Sequence, residues 1–389
     1  MSTKKFPFKL PMVLDGATGT ELIKRGLPAG VNVQSWVLDH PEAVQEIQKD
    51  YYDAGSDAVY ACTFGATPRI LEENGVLLSA REICMLTAKI SREGANDRLL
   101  GASVAPSGAM FYPMGEDTFE FAVEEYKQAV MGADHFVDFF TAETCISTLE
   151  AKAAVTAVGE VTDKPVFVTL TVDKNGKTLC GDEVIPSLIT LADSGISAFG
   201  LNCSFGPDLI IDILKKASPY ARALGIELIA KPNAGLPKDD GGFDLTVEQF
   251  ASYIPEALKN GIGILGGCCG TNKEYIKKIK ECTESTPLEY PEALDFDFAN
   301  TVSNTRKFAK VDENNMPNPV SVSDYLYEDV EAQAEEYGYG FVRLEKGECD
   351  ILNEQLAYIT APLAFCGDRE EYEKFAYSYA GKTIFKDLI

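Results

Sequence analysis

The sequence predicts a (β/α)8 TIM barrel with a small C-terminal α/β appendage. Three observations carry that expectation. Between Met12 and about residue 283, short apolar runs alternate with amphipathic helical stretches eight times. Alternation sustained that long implies parallel strands joined by right-handed crossovers, and eight units favour closure into a barrel over an open sheet. Past Glu281 the chain turns polar and proline-punctuated, then resumes a shorter α/β pattern.

Taken in order, the expected strands lie at 12–14, 57–61, 98–103, 136–141, 165–171, 197–201, 227–230 and 261–265. Each is a short apolar run, as a strand buried on both faces reads. The expected helices lie at 41–54, 79–93, 118–132, 149–161, 184–194, 207–224, 246–260 and 273–281, where apolar residues recur at helical spacing. These units make a barrel over residues 1–283. Residues 284–320 read as a linker or an extended arm packed along the barrel. Residues 321–389 read as a small α/β appendage with a helix at 321–337 capped by Ser323, strands at 340–344 and 361–366, a helix at 369–380 and a strand at 383–385.

Composition narrows the function. The chain has 389 residues, 46% of them hydrophobic, enough for a sizeable core. Sixty acidic against thirty-five basic residues give a net charge of −25, which argues against nucleic-acid and anionic-lipid surfaces. Pro7, Lys9 and Pro11 break the apolar run at the N-terminus, so neither a signal peptide nor a membrane span is expected there. No later stretch reaches the ~18 apolar residues that a spanning helix needs. Ten scattered cysteines suit a reducing compartment, hence a cytoplasmic protein.

In barrels of this class the loops after the strands carry the site. Here those loops hold Asp15 to Thr20, Cys62 to Gly65, Ala105 to Gly108, Glu143 with Thr144, Asn202 to Ser204, Pro232 to Gly235 and Gly266 to Gly270. Cys203 ends one apolar run, and Cys268 with Cys269 ends another inside a glycine-rich turn. Three thiols on one rim suggest a metal, and zinc suits thiolates with a fourth position left open. Three buried packing cysteines and a Cys268–Cys269 disulfide are the competing readings. Asp15, Glu143 and Asn233 each also suit an ordinary loop or turn residue, and His40 and His135 match no ligand spacing.

The motifs DGATGTEL (15–22), GLNCS (200–204), PNAG (232–235) and GGCCGT (266–271) together resemble the homocysteine S-methyltransferase family. That family includes the homocysteine domain of cobalamin-dependent methionine synthase and betaine–homocysteine methyltransferase. TFGAT (63–67), YPMG (112–115) and the run from Glu143 to LEAKAA (149–154) resemble the methionine-synthase branch most, although Cys62 stands where that branch usually has asparagine. The resemblance implies that Cys203, Cys268 and Cys269 hold zinc and carry catalysis, with Asn233 at or beside the open position. It further implies that Asp15 and the amides of Gly16 and Ala17 grip the amino-acid end of homocysteine, while Glu143 pairs with its ammonium.

The implied activity is transfer of a methyl group to the homocysteine thiol to give methionine. No Asp-x-His-x-x-Gly cobalamin signature occurs, because neither histidine has the Asp and Gly partners. The expected donor is therefore methylcobalamin held by a separate corrinoid protein, with S-methylmethionine or a betaine as alternatives. A non-catalytic zinc-binding subunit of a corrinoid protein is the alternative of another class.

Overall fold

The computed structural model describes residues 5–112, 114–238 and 242–387, so Pro113 of the YPMG motif lies outside the described residues. Eight parallel strands form the main sheet: β1 (Met12–Val13), β2 (Ala58–Ala61), β3 (Leu99–Ser103), β4 (Phe139–Cys145), β5 (Val166–Leu170), β6 (Ala198–Asn202), β7 (Glu227–Lys231) and β8 (Ile264–Leu265). Their order, β1-β8-β7-β6-β5-β4-β3-β2, brings the first strand round to the last, with helices interleaved. This is the expected barrel.

No strand ladder joins β1 to β2 among the described residues, and side chains close that seam. Asp57 Oδ2 accepts the Val13 amide at 2.7 Å while the Asp57 amide donates to the Val13 carbonyl at 2.7 Å. One step toward the carboxyl end, Asp15 Oδ2 accepts the Tyr60 amide at 2.7 Å. Carboxylates thus satisfy backbone donors that a regular ladder would otherwise pair.

The barrel interior is aromatic. Phe139 and Phe167 stack with centroids 4.5 Å apart, and Phe6 stacks on Phe167 at 5.5 Å while Phe8 meets Phe139 edge-on at 5.6 Å. The N-terminal segment is therefore a stopper for the barrel floor. Gly101 makes room for this layer, because a Cβ there would overlap the Phe139 ring. Gly101→Ala is expected to cost about 1–3 kcal/mol by overpacking, read as a lower urea midpoint at unchanged slope; an unshifted midpoint would contradict this packing.

Several boundaries differ from the sequence reading, each for a local reason. The strand expected from residue 136 begins at Phe139, because Asp134–Phe136 forms a 3-10 turn first. The helix expected over 246–260 divides into Val247–Ala251 and Ile254–Lys259. Pro255, in the first turn of the second piece, lacks an N–H and disfavours helix just before it. Short helices at Thr18–Lys24, Val33–Asp39 and Pro68–Glu73 add to the eight expected from the sequence.

Beyond the barrel, the stretch read as a linker carries an antiparallel hairpin of β9 (Thr301–Ser303) and β10 (Phe308–Lys310). A parallel four-stranded sheet follows, ordered β11 (Val320–Ser321), β12 (Gly340–Leu344), β13 (Leu363–Gly367) and β14 (Ile384–Phe385). Residues 320–321 are thus strand, and the first appendage helix is Leu326–Tyr337. Ser323 does not cap it; its hydroxyl accepts the Tyr325 amide at 3.3 Å in the preceding turn. An additional helix, Cys349–Gln355, lies between β12 and β13.

A lysine from the barrel ties the appendage down. Lys152 Nζ donates to the carbonyls of Ala376 at 2.6 Å and Tyr379 at 2.8 Å, at the carboxyl end of helix Arg369–Ser378. A cation there satisfies end carbonyls and complements the helix dipole. Lys152→Met is expected to loosen this contact by about 1–3 kcal/mol, since two acceptors lose their donor. Hydrogen exchange would report it as faster exchange across Arg369–Ser378; unchanged protection would sink the idea.

Candidate metal centre and acceptor pocket

The rim at the carboxyl ends of the strands gathers all of the candidate site residues but Asn233 around one pocket of about 300 Å³. Asp15, Gly16 and Ala17 follow β1, Glu143 and Thr144 end β4, Cys203 follows β6, and Cys268 and Cys269 follow β8. The three sulfurs lie within 4.8 Å of one another, with Cys203 Sγ and Cys269 Sγ 4.0 Å apart. Tetrahedral zinc with bonds of about 2.3 Å to sulfur needs neighbouring sulfurs about 3.8 Å apart. The spacing fits that ion.

The backbone shows how such closeness is reached. Cys203 and Ser204 have φ of 62° and 61°, and Thr144 has 62°, a left-handed region that non-glycine residues seldom occupy. Asn202 holds two of these loops together: its Oδ1 accepts the Thr144 amide at 2.9 Å, and its Nδ2 donates to Thr144 Oγ1 at 2.7 Å and faces Cys268 Sγ at 3.9 Å. The two-cysteine loop is braced from β7. Cys268 N donates to the Pro232 carbonyl at 2.8 Å, and Ala234 N donates to the Cys269 carbonyl at 3.0 Å. At Gly270, φ is +81° and a Cβ would run into the Phe243 ring, so only glycine completes the turn.

Among the sulfurs, contact with Cys268 and then Cys269 holds the Cys203 thiol far below its usual range, whereas Cys268 is pushed up by its sulfur neighbours and by burial. The trio favours one negative charge and resists more, a donor set that suits a cation. Asn233 is buried beside it with its Oδ1 lacking a hydrogen-bond partner. Cys62 lines the same pocket, with its thiol pushed up to about 12 by burial. His40 stacks on Trp36 at 4.2 Å, away from the pocket lining.

One pocket residue went unnoticed in the sequence. Lys231, the last residue of β7, is 3% exposed and places Nζ 2.7 Å from Asp15 Oδ1 and 4.0 Å from Glu143 Oε2. The same ammonium lies 3.8 Å from the centroid of the Tyr60 ring. Burial opposes its charge, but Asp15, Tyr60 and Glu143 outweigh burial and leave its pKa raised. Burial pushes Glu143 up, Lys231 pulls it back and Asp15 pushes it up again, for a net rise. The available signal was a lysine closing the apolar run Leu228 to Ala230, directly before the PNAG loop.

The profile of the family described as Homocysteine S-methyltransferase matches residues 12–283, more than half of the chain. The chain belongs to that family. Methionine synthase from Mycobacterium tuberculosis is 28% identical to this homocysteine S-methyltransferase family member over 291 residues, covering 69% of this chain and 24% of the relative. The Mycobacterium leprae methionine synthase matches to the same extent. The chain thus spans about a quarter of the length of these curated relatives. Among solved structures, the metallated form of the homocysteine methyltransferase MmuM from Escherichia coli aligns with a TM-score of 0.58 at 22% identity, over 69% of this chain and 95% of that one. At that identity the likeness speaks for the family's barrel fold. No helix among the described residues is long and apolar enough to cross a membrane.

Proposed function

We propose that the chain is a zinc-dependent S-methyltransferase that moves a methyl group to the thiol of homocysteine and yields methionine, with a methylated corrinoid on a separate protein as donor. The observation that carries this reading is the convergence of three sulfurs and two carboxylates on one pocket. Family membership and the methionine synthase relatives support the acceptor and the product. Likeness of the motifs to the methionine-synthase branch supports the corrinoid donor.

Cys203, Cys268 and Cys269 would hold the zinc, with Asn233 next to its fourth position. Zinc bound by thiolates supplies a lowered thiol pKa while leaving the acceptor sulfur nucleophilic. The chain's own groups do the positioning. Glu143 receives the substrate ammonium, and the amides of Gly16 and Ala17, which donate to no described group, receive its carboxylate. Asn202 keeps the β4 and β6 loops in register around the sulfurs. Residues 1–283 form the working barrel in this reading, 284–320 an arm, and 321–389 an appendage, in a cytoplasmic protein.

The test is direct. Purified protein with zinc quantified is offered homocysteine together with methylcobalamin, 5-methyltetrahydrofolate, S-methylmethionine or glycine betaine. Methionine formed from methylcobalamin, with about one zinc per chain, is the expected result. Zinc without methionine from any donor would favour a non-catalytic subunit instead.

A further inference from the structure

We propose that Lys231 is a specificity-determining residue of the acceptor pocket, whose fixed ammonium makes the pocket select sulfur ligands that carry a carboxylate. The inference rests on the acceptor reading above and adds to it the group that reads one end of the ligand.

Lys231 holds unsatisfied hydrogen-bonding capacity. An ammonium has three N–H donors. Asp15 Oδ1, at 2.7 Å, is its one hydrogen-bond acceptor among the described residues. Glu143 Oε2, at 4.0 Å, is in ion-pair range but too far for a hydrogen bond. The Tyr60 ring, 3.8 Å from Nζ to its centroid, occupies a further side of the ammonium. A donor on a residue only 3% exposed therefore waits for an acceptor, and Lys231 is part of the pocket wall. Leaving such a donor unpaired is costly, so a ligand that supplies the missing acceptor is favoured.

The neighbourhood says which acceptor. Nζ is held by the side chain of Asp15, the residue that directly precedes the unpartnered amides of Gly16 and Ala17. Donors from β7 and from the β1 loop thus line the same pocket, and a carboxylate has two oxygens to share among them. Asp15 is itself occupied, by Lys231 on one oxygen and the Tyr60 amide on the other. That leaves Glu143 as the carboxylate for a substrate ammonium. Lys231 and Glu143 divide a zwitterion between them.

Thioethers test this without a methyl donor. Calorimetry would compare methionine, 4-(methylthio)butanoate, which lacks the ammonium, and 3-(methylthio)propylamine, which lacks the carboxylate. The proteins are the wild type, Lys231→Met, and the double variant Lys231→Met with Asp15→Asn, which removes both charges of the buried pair; circular dichroism verifies their folding. Wild type is expected to bind methionine and the butanoate more tightly than the amine. The double variant is expected to lose about tenfold or more for the two carboxylate ligands and to change little for the amine. Equal losses for all three ligands, no loss, or a loss confined to the amine would overturn the inference while leaving the acceptor reading intact. Failure of methionine to bind wild type would overturn both.

Discussion

Replacing Cys268 by alanine is expected to strip the chain of zinc and of methyl transfer to homocysteine together. The three sulfurs approach the separation that tetrahedral zinc imposes, so removing one leaves two ligands on an ion that is best held here by three. The loss should exceed the roughly 10–100-fold that removal of a supporting residue costs a metal site. Asn202, which faces Cys268 Sγ at 3.9 Å, is such a supporting residue, and Asn202→Ala should weaken zinc without abolishing it. Cys84 provides the control: its thiol is buried against the Ala66 carbonyl at 3.5 Å, and Cys84→Ala should retain its zinc. Metal content by emission spectrometry, measured with turnover, decides the matter. Full zinc and full turnover in Cys268→Ala would end the metal-centre reading.

Asp15→Ala is expected to be the most destabilising single change on the rim. Asp15 is 2% exposed and partners a lysine that is 3% exposed, so alanine leaves a buried ammonium with its charge poorly compensated. Breaking one side of a buried pair costs about 3–5 kcal/mol. Alanine also removes the acceptor of the Tyr60 amide, which bridges the β1–β2 seam. Asp15→Asn keeps an oxygen for one of the two donors and should cost markedly less. Urea midpoints would show that order, Asp15→Ala well below Asp15→Asn and both below wild type. Equal midpoints for the two variants would mean that the buried ion pair contributes nothing.

The barrel was legible because each strand is a short apolar run and each crossover helix shows helical periodicity. The periodicity of Pro207–Leu224 predicted its bounds to the residue. The thiol motifs were visible because paired cysteines between glycines are rare in packing terms. What escaped were features set by tertiary contact. Lys231 carries no local signal for an ion pair with a residue 216 positions away. The Thr301–Ser303 and Phe308–Lys310 hairpin is too short for alternation to show, and it is anchored by Ser303 Oγ paired with Thr190 Oγ1 at 2.9 Å. The break near Ser252 was readable in principle from Pro255, but the apolar spacing on either side concealed it.

The aromatic stopper has a consequence for how the molecule is made. Phe6 and Phe8 are synthesised well before the rings they rest on, Phe139 and Phe167, which emerge only with β4 and β5, and β1 finds its partner only when β8 has been synthesised. Contacts so distant along the chain form late and slow folding. The segment around Phe6 and Phe8 therefore has to wait, unpaired and apolar, for most of the barrel to be translated, which makes it a natural segment for a nascent-chain chaperone to shield.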